Sequence, residues 1–250
     1  MDSALVASLA DAGLAAAIVA ALALPAVFRG RLLLALLAVL LAFGDDFITD
    51  WGHYKTSPLN LIAGSWNWNG KAFDLVFLVL AAFVLVASGL FNREQLGLAW
   101  RQKRGTFLAV LLVIVPFIAI VDAIVIRMSG HQAFTWEDVA FQMTMPGFTE
   151  ELFYRGLLLA LFDRMFATPV KVLGTELGYG AIATSLAFAA VHAIGVDKSL
   201  HLTFEPLAAA SPLVGAFVAV WIRARSGSLV VPMLAHNISN TVVTVVPGFI

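Results

Sequence analysis

Long runs of apolar residues, separated by short polar stretches, follow one another along nearly the whole chain. Most of the runs reach the roughly 17–25 residues that an α-helix needs to cross the hydrocarbon of a bilayer. The pattern therefore predicts an all-α, polytopic membrane helix bundle with about eight transmembrane helices, and seven is the alternative count. The apolar runs lie at about 12–28, 32–43, 75–91, 107–126, 136–162, 178–194, 207–222 and 229–246.

Composition supports a membrane protein and removes several other classes. The chain is 61% hydrophobic and 12% charged, with a mean hydropathy of +0.93, whereas soluble domains carry about 25% charged residues. The net charge of −1 gives no indication of nucleic-acid binding, and the absence of cysteine excludes disulfides, thiolate zinc sites and cysteine nucleophiles. We predict a single integral membrane domain, 1–250, whose partner is the lipid bilayer.

The first apolar run lacks the basic flank of a signal peptide. No Lys or Arg occurs in the first eleven residues, and a signal peptide would carry positive charge there. We interpret 12–28 as a retained span, and cleavage after the Ala-Leu-Ala at 21–23 is the alternative.

The distribution of Lys and Arg predicts the orientation. If the N-terminus is outside, ten of the fifteen cations fall in inner loops, and Arg155 lies within a span. This bias fits the positive-inside rule and places both termini outside. We expect a bacterial cytoplasmic membrane location. The four cations assigned to outer loops are Lys55, Lys71, Arg127 and Lys198.

The longest stretch between runs, 44–74, is predicted to be an outer loop, and the alternative is that the short run 32–43 extends through Phe47 and Ile48. The tryptophans of this stretch suit an interfacial belt. Asp45, Asp46, Asp50 and His53 could suggest a metal site, but a solvated acidic loop is the simpler interpretation.

Charged residues inside a span are costly and usually mark function. Glu151 and Arg155 are four residues apart on one helix face and can neutralise each other. Glu150 lies about 100° further round the helix and has no local cation. It must find a partner elsewhere or stay protonated. A structural salt bridge explains Glu151 and Arg155 as well as a functional role does, but it does not explain Glu150.

Two further polar motifs lie on later apolar runs. These are Phe188-x-x-x-His192 and His236-x-x-x-Asn240. Alone, His192 could be a satisfied core or interfacial residue, and His236 with Asn240 could simply join two helices. Counting about 1.5 Å per residue places Glu150 and these polar side chains roughly 10–22 Å from the inner helix ends. All of them fall in the middle of the bilayer, which favours one shared cavity.

The order EExxxR, FxxxH and HxxxN, each on its own apolar run, resembles the CAAX protease and bacteriocin-processing family of intramembrane glutamic endopeptidases. The motif-bearing core is about 136–246. WNWNGK at 66–71 also resembles a segment that precedes an early helix in family members.

The resemblance implies hydrolysis of a peptide bond by activated water. Glu150 would activate the water, His192 would assist it, and His236 and Asn240 would form an oxyanion hole. The substrate would be a membrane-associated peptide or protein. The resemblance also implies supporting positions at Glu151, Arg155 and Phe188.

Other chemistries leave weaker signals. HExxH, Gly-x-Ser-x-Gly and Gly-x-Gly-Asp motifs are absent, so no cofactor is expected. Zinc held by the two carboxylates and two histidines stays open as a variant of the same protease site. A non-catalytic immunity or binding protein is the alternative from another class, and a transporter with a carboxylate proton relay is a third.

Overall fold

Helices of bilayer-spanning length account for most of the predicted apolar runs. The computed structural model describes residues 3–197 and 199–250. The helices, numbered in chain order, are α1 Ser3–Val27, α2 Leu32–His53, α3 Trp68–Ala87, α4 Thr106–Ser129, α5 Trp136–Gln142, α6 145–165, α7 Tyr179–Ala193, α8 Ala210–Ser226 and α9 Val230–Val245.

Within the described part of the chain, six helical segments are long and apolar enough to cross a membrane. They are α1 to α4, the segment Pro206–Ser226 that contains α8, and the segment Val230–Phe249 that contains α9. Helix α7 is apolar but shorter, and α6 carries charges. The eight predicted runs thus all contain helix, and the chain is an integral multi-pass membrane protein.

The acidic stretch after position 43 is not a loop, so that prediction was wrong. Helix α2 continues to His53 and carries Asp45, Asp46 and Asp50 along its last turns. The helix continues because α1 and α3 cover this part of it. The Ser8 hydroxyl donates a hydrogen bond to Asp50 Oδ2 at 2.7 Å. The loop predicted to lie outside therefore shrinks to 54–67.

Helix α6 is the centre of the bundle. All residues from 151 to 162 are buried, so its charged side chains face protein rather than lipid. The predicted run 136–162 is broken at positions 143 and 144, which separates α5 from α6. A capping box between Thr135 and Asp138 starts α5. Within α6, Glu151–Leu158 is π-helical, a wide turn that often occurs at functional sites.

Two short antiparallel hairpins flank α7. Strands β1 Val170–Val172 and β2 Thr175–Leu177 pair in the connection before it, with Lys171 opposite Glu176. Strands β3 Ile194–Val196 and β4 Leu202–Phe204 pair in the connection after it, with Gly195 opposite Thr203. They fix the two ends of a short helix that carries two of the motif residues.

Small side chains allow α1 and α2 to approach closely. Ala7, Ala12 and Ala26 of α1 and Ala38 of α2 are all 0% exposed, and small residues are typical of membrane helix interfaces. A Cβ at Gly52 would collide with the backbone of Gly70, so the end of α2 and the start of α3 also touch. These contacts hold the start of α3 against the bundle.

We expect both termini to face away from the cytoplasm. Lys71 leaves the outer count because it lies in α3, and Lys198 lies outside the described residues, yet the inner excess of Lys and Arg remains. An alkaline phosphatase fused after Ile250 should be active, and the same enzyme inserted at 88–105 should be silent. A silent C-terminal fusion would mean that an odd number of spans was miscounted.

Candidate active site

The three motif-bearing helices meet at a cavity of about 320 Å³ inside the bundle. Helices α6, α7 and α9 supply its polar wall, and apolar residues of α4 and α8 supply the wall opposite. Side chains from three distant parts of the sequence therefore line one cavity, which agrees with their similar estimated depths. The seven candidate residues that line the cavity are Glu150, Glu151, Arg155, Phe188, His192, His236 and Asn240.

Glu150 has a cation, which comes from another helix. The Lys71 Nζ atom lies 2.9 Å from Glu150 Oε1. The prediction that Lys71 sits in an outer loop was wrong, because α3 begins at Trp68. The Asn67 side chain caps this helix by accepting a hydrogen bond from the Gly70 N–H. The resemblance of the WNWNGK segment to family members pointed to this region. The sequence does not show which carboxylate pairs with Lys71.

Glu151 is fully buried and contacts two basic groups. Its Oε1 lies 3.1 Å from Arg155 Nη1, the predicted pairing within one helix. The same oxygen accepts a hydrogen bond of 2.8 Å from His236 Nδ1. The Arg155 guanidinium lies over the Phe188 ring, 4.5 Å from its centroid, a cation–π contact. Glu151 and Arg155 thus anchor residues of the two other motifs.

The His236 ring lies between the two glutamates. Its Nδ1–H donates to Glu151, and its Nε2 is 3.7 Å from Glu150 Oε2. Since Nδ1 carries a proton, Nε2 carries one only in the imidazolium form. In that form His236 presents an Nε2–H to the cavity beside Glu150.

The tautomer of His192 is fixed by its own helix. Its Nδ1 lies 2.7 Å from the Phe188 carbonyl oxygen, and a carbonyl only accepts, so Nδ1 is the protonated nitrogen. The remaining nitrogen, Nε2, is left to exchange a proton. The Phe188 ring packs against the imidazole, with centroids 4.5 Å apart. The His192 side chain is thus held by the backbone carbonyl and the ring of Phe188.

Asn240 is oriented by a residue that sequence reasoning missed. Its Nδ2 donates to Gln142 Oε1 at 3.1 Å, and because an amide nitrogen carries two hydrogens, one stays available. Asn237, also missed, accepts from the Gly147 N–H at 2.8 Å and donates to the Thr144 carbonyl. Neither residue falls in a recognised spacing. Gln142 ties α9 to the end of α5, and Asn237 ties α9 to the start of α6.

Hydrogen bonds to the Glu137 carboxylate hold the loop that precedes α3 beside the cavity. Glu137 accepts hydrogen bonds from the Ser65 backbone and hydroxyl and from Trp68 Nε1, and these donors lower the pKa of its carboxyl group. The neighbouring Trp66 lines the cavity and stacks on Phe141, with centroids 4.8 Å apart. The loop before α3 is thereby fastened to α5.

The carboxylate and imidazole groups of the cavity contact other protein groups, and they are not arranged around one common position as metal ligands are. Among the described residues, no group of three or more His, Asp or Glu side chains is arranged to hold a metal ion. The expectation that the site works without zinc stays a prediction.

Comparison with known proteins supports the family resemblance. Residues 131–242 match the family model described as Rce1-like, type II CAAX prenyl endopeptidase. The searches of curated proteins and of solved structures found no match. The matched region contains all three motifs and most of the cavity wall. The matched part of the chain is therefore similar to the type II CAAX prenyl endopeptidases, and the chain as a whole is a multi-pass membrane protein.

Proposed function

We propose that the protein is an intramembrane endopeptidase that hydrolyses a peptide bond of a membrane-associated substrate with water activated by Glu150. The observation that carries this proposal is the convergence of Glu150, His192, His236 and Asn240 on one cavity within the bundle. A base, a second proton carrier and two hydrogen-bond donors are the groups that amide hydrolysis by water requires.

In the proposed reaction, Glu150 takes a proton from water while the hydroxide oxygen bonds to the peptide carbonyl carbon. The carbonyl oxygen becomes an oxyanion, and the His236 Nε2–H and the second Asn240 N–H are its donors. When the carbon–nitrogen bond breaks, the proton held by Glu150 passes to the leaving amine, with His192 Nε2 assisting the transfer. No acyl-enzyme forms. Each donor to the oxyanion can contribute about 3–4 kcal/mol.

A cleavage assay tests the proposal. The full-length protein in liposomes should hydrolyse a fluorescence-quenched peptide that ends in a farnesylated Cys-a-a-X sequence, the substrate class in the family description. Because the substrate of this chain could lack a prenyl group, an acylated peptide of the same sequence is the parallel probe. His192→Ala should lose about 10²–10⁴-fold in rate as a proton-transfer group is removed. Binding of both probes with cleavage of neither would favour the non-catalytic alternative.

We expect activity to survive prolonged chelation, and the purified protein to carry no stoichiometric zinc. A zinc ligand set would need deprotonated donors within about 2.0–2.2 Å of one ion, and here Arg155 contacts Glu151 while Lys71 contacts Glu150. A cation beside each carboxylate disfavours a second cation. Elemental analysis and cleavage rates before and after dialysis against a chelator give the result. If the chelator abolished cleavage and added zinc restored it, the protein would belong to the metalloprotease class.

A further inference from the structure

The Lys71 ammonium group has a second acidic neighbour. Asp74 lies one turn further along α3 and is only 1% exposed. Asp45 and Thr49 of α2 lie nearby, yet neither oxygen of the Asp74 carboxyl group has a partner in hydrogen-bond geometry among the described residues. Burying such a group without hydrogen bonds is costly. Lys71, three residues earlier on the same helix, is the cation that interacts with this carboxyl group.

Asp45 approaches Asp74 from α2, and both interact with Lys71. Two neighbouring carboxyl groups in a low-dielectric interior do not both ionise at low cost, so such a pair holds one proton. The other titratable groups that face the pair are Asp46 on α2 and Glu150 and Tyr154 on α6. The Lys71 ammonium group is therefore the positive charge beside both Glu150 and a singly charged pair of aspartates.

This arrangement addresses a conflict within the catalytic site. A lysine bonded to Glu150 alone would stabilise the ionised carboxylate and oppose its uptake of a proton from water. When Glu150 does take the proton, the ammonium loses its partner in a buried place. A second anion beside Lys71 lowers the cost of that change.

We propose that Asp74, together with Asp45, is a positioning residue for Lys71 that shares its charge with Glu150 and so leaves Glu150 able to act as a base. This inference rests on the proposed function. In the step concerned, Glu150 gains the water proton and becomes neutral, while the hydroxide oxygen bonds to the carbonyl carbon. Lys71 keeps its own proton throughout, and its charge is then balanced by the aspartate pair.

The first test needs no substrate. Dicyclohexylcarbodiimide modifies protonated carboxyl groups in apolar surroundings, and peptide mass spectrometry locates the product. At neutral pH we expect modification of Asp45 or Asp74 and none of Glu150 in the full-length protein. Lys71→Met should add modification at Glu150, and Lys55→Met, which removes an exposed lysine, should not. Modified Glu150 in the unaltered protein, or unmodified aspartates, would overturn the shared-charge arrangement.

The second test is the pH profile of cleavage of the farnesylated peptide. Asp74→Asn should move the acidic midpoint of kcat/KM to lower pH by about one unit, because Lys71 then holds Glu150 alone. The plateau should fall roughly three- to tenfold as the base weakens. Lys71→Met should move the midpoint to higher pH, and the double variant should follow Lys71→Met instead of adding the two effects.

A control separates this role from a structural one. Asp122→Asn removes another buried membrane carboxyl group, which accepts a hydrogen bond from Ser239, and it should leave the midpoint in place. Asp74→Asn with lower activity but an unmoved midpoint would reject the inference and leave the proposed function standing. An active Glu150→Gln variant would reject the proposed function, and the carbodiimide result would still report the charge sharing.

Discussion

Replacing Glu150 by Gln should abolish peptide cleavage while the protein still inserts and folds. Glutamine keeps the shape of the side chain but cannot take a proton, and loss of a general base costs about 10²–10⁴-fold in rate. Initial rates on the farnesylated peptide, measured with the purified variant in liposomes, give the result. Near-normal turnover would reject Glu150 as the group that activates water.

The Glu150→Gln variant also removes the carboxylate charge that lies 2.9 Å from the Lys71 ammonium, so a matched control is needed. The double variant Lys71→Met, Glu150→Gln removes both charges of this ion pair and should stay inactive. Recovery of cleavage in the double variant would show that the altered charge balance at Lys71, and not the missing base, caused the loss. A membrane immunity protein that acts only by binding would keep its phenotype in both.

Replacing Arg155 by Met should produce the largest loss of stability. Arg155 is 2% exposed and is the largest fully buried side chain among the described residues. Its removal leaves the Glu151 carboxylate buried beside a single histidine. Breaking a buried ion pair from one side lowers the free energy of unfolding by about 3–5 kcal/mol. Thermal unfolding in detergent, followed by intrinsic fluorescence, measures the change.

Two variants test the origin of that loss. Arg93→Met removes an exposed arginine and should change stability little. Glu151→Gln combined with Arg155→Met removes both charges and should regain part of the stability. If Arg155→Met unfolds at the same temperature as Arg93→Met, the buried ion pair contributes little to the fold.

The positions of the catalytic candidates could be predicted from sequence because polar and charged side chains inside a membrane are rare. Glu150 stands out because no local cation explains it. His192 and His236 stand out less on their own, and it is their similar depth in the bilayer that favours one shared cavity. Spacing alone also predicted the contact between Glu151 and Arg155, since residues four apart on a helix are neighbours.

What the sequence did not reveal depends on contacts between helices. The ion pair between Lys71 and Glu150 joins residues 79 positions apart, and no local pattern shows it. The helical course of Asp45 and Asp46 was hidden because hydropathy treats an aspartate alike in a loop and in a protein-covered helix. Gln142 was missed because its partner, Asn240, lies on another helix, as Glu150 does for Lys71.

The wide turn Glu151–Leu158 in α6 makes the residue count of this helix critical. Hydrogen bonds in a π-helix span five residues instead of four, so the turn accommodates one residue more than an α-helix would. Deleting a single residue here could restore regular α-helix without opening a loop. The carboxylates before the deletion would then rotate by about 100° relative to the core residues after it. A related protein that lacks one residue within α6 would therefore have its glutamates turned away from the cavity, even if the EExxxR motif residues are all present.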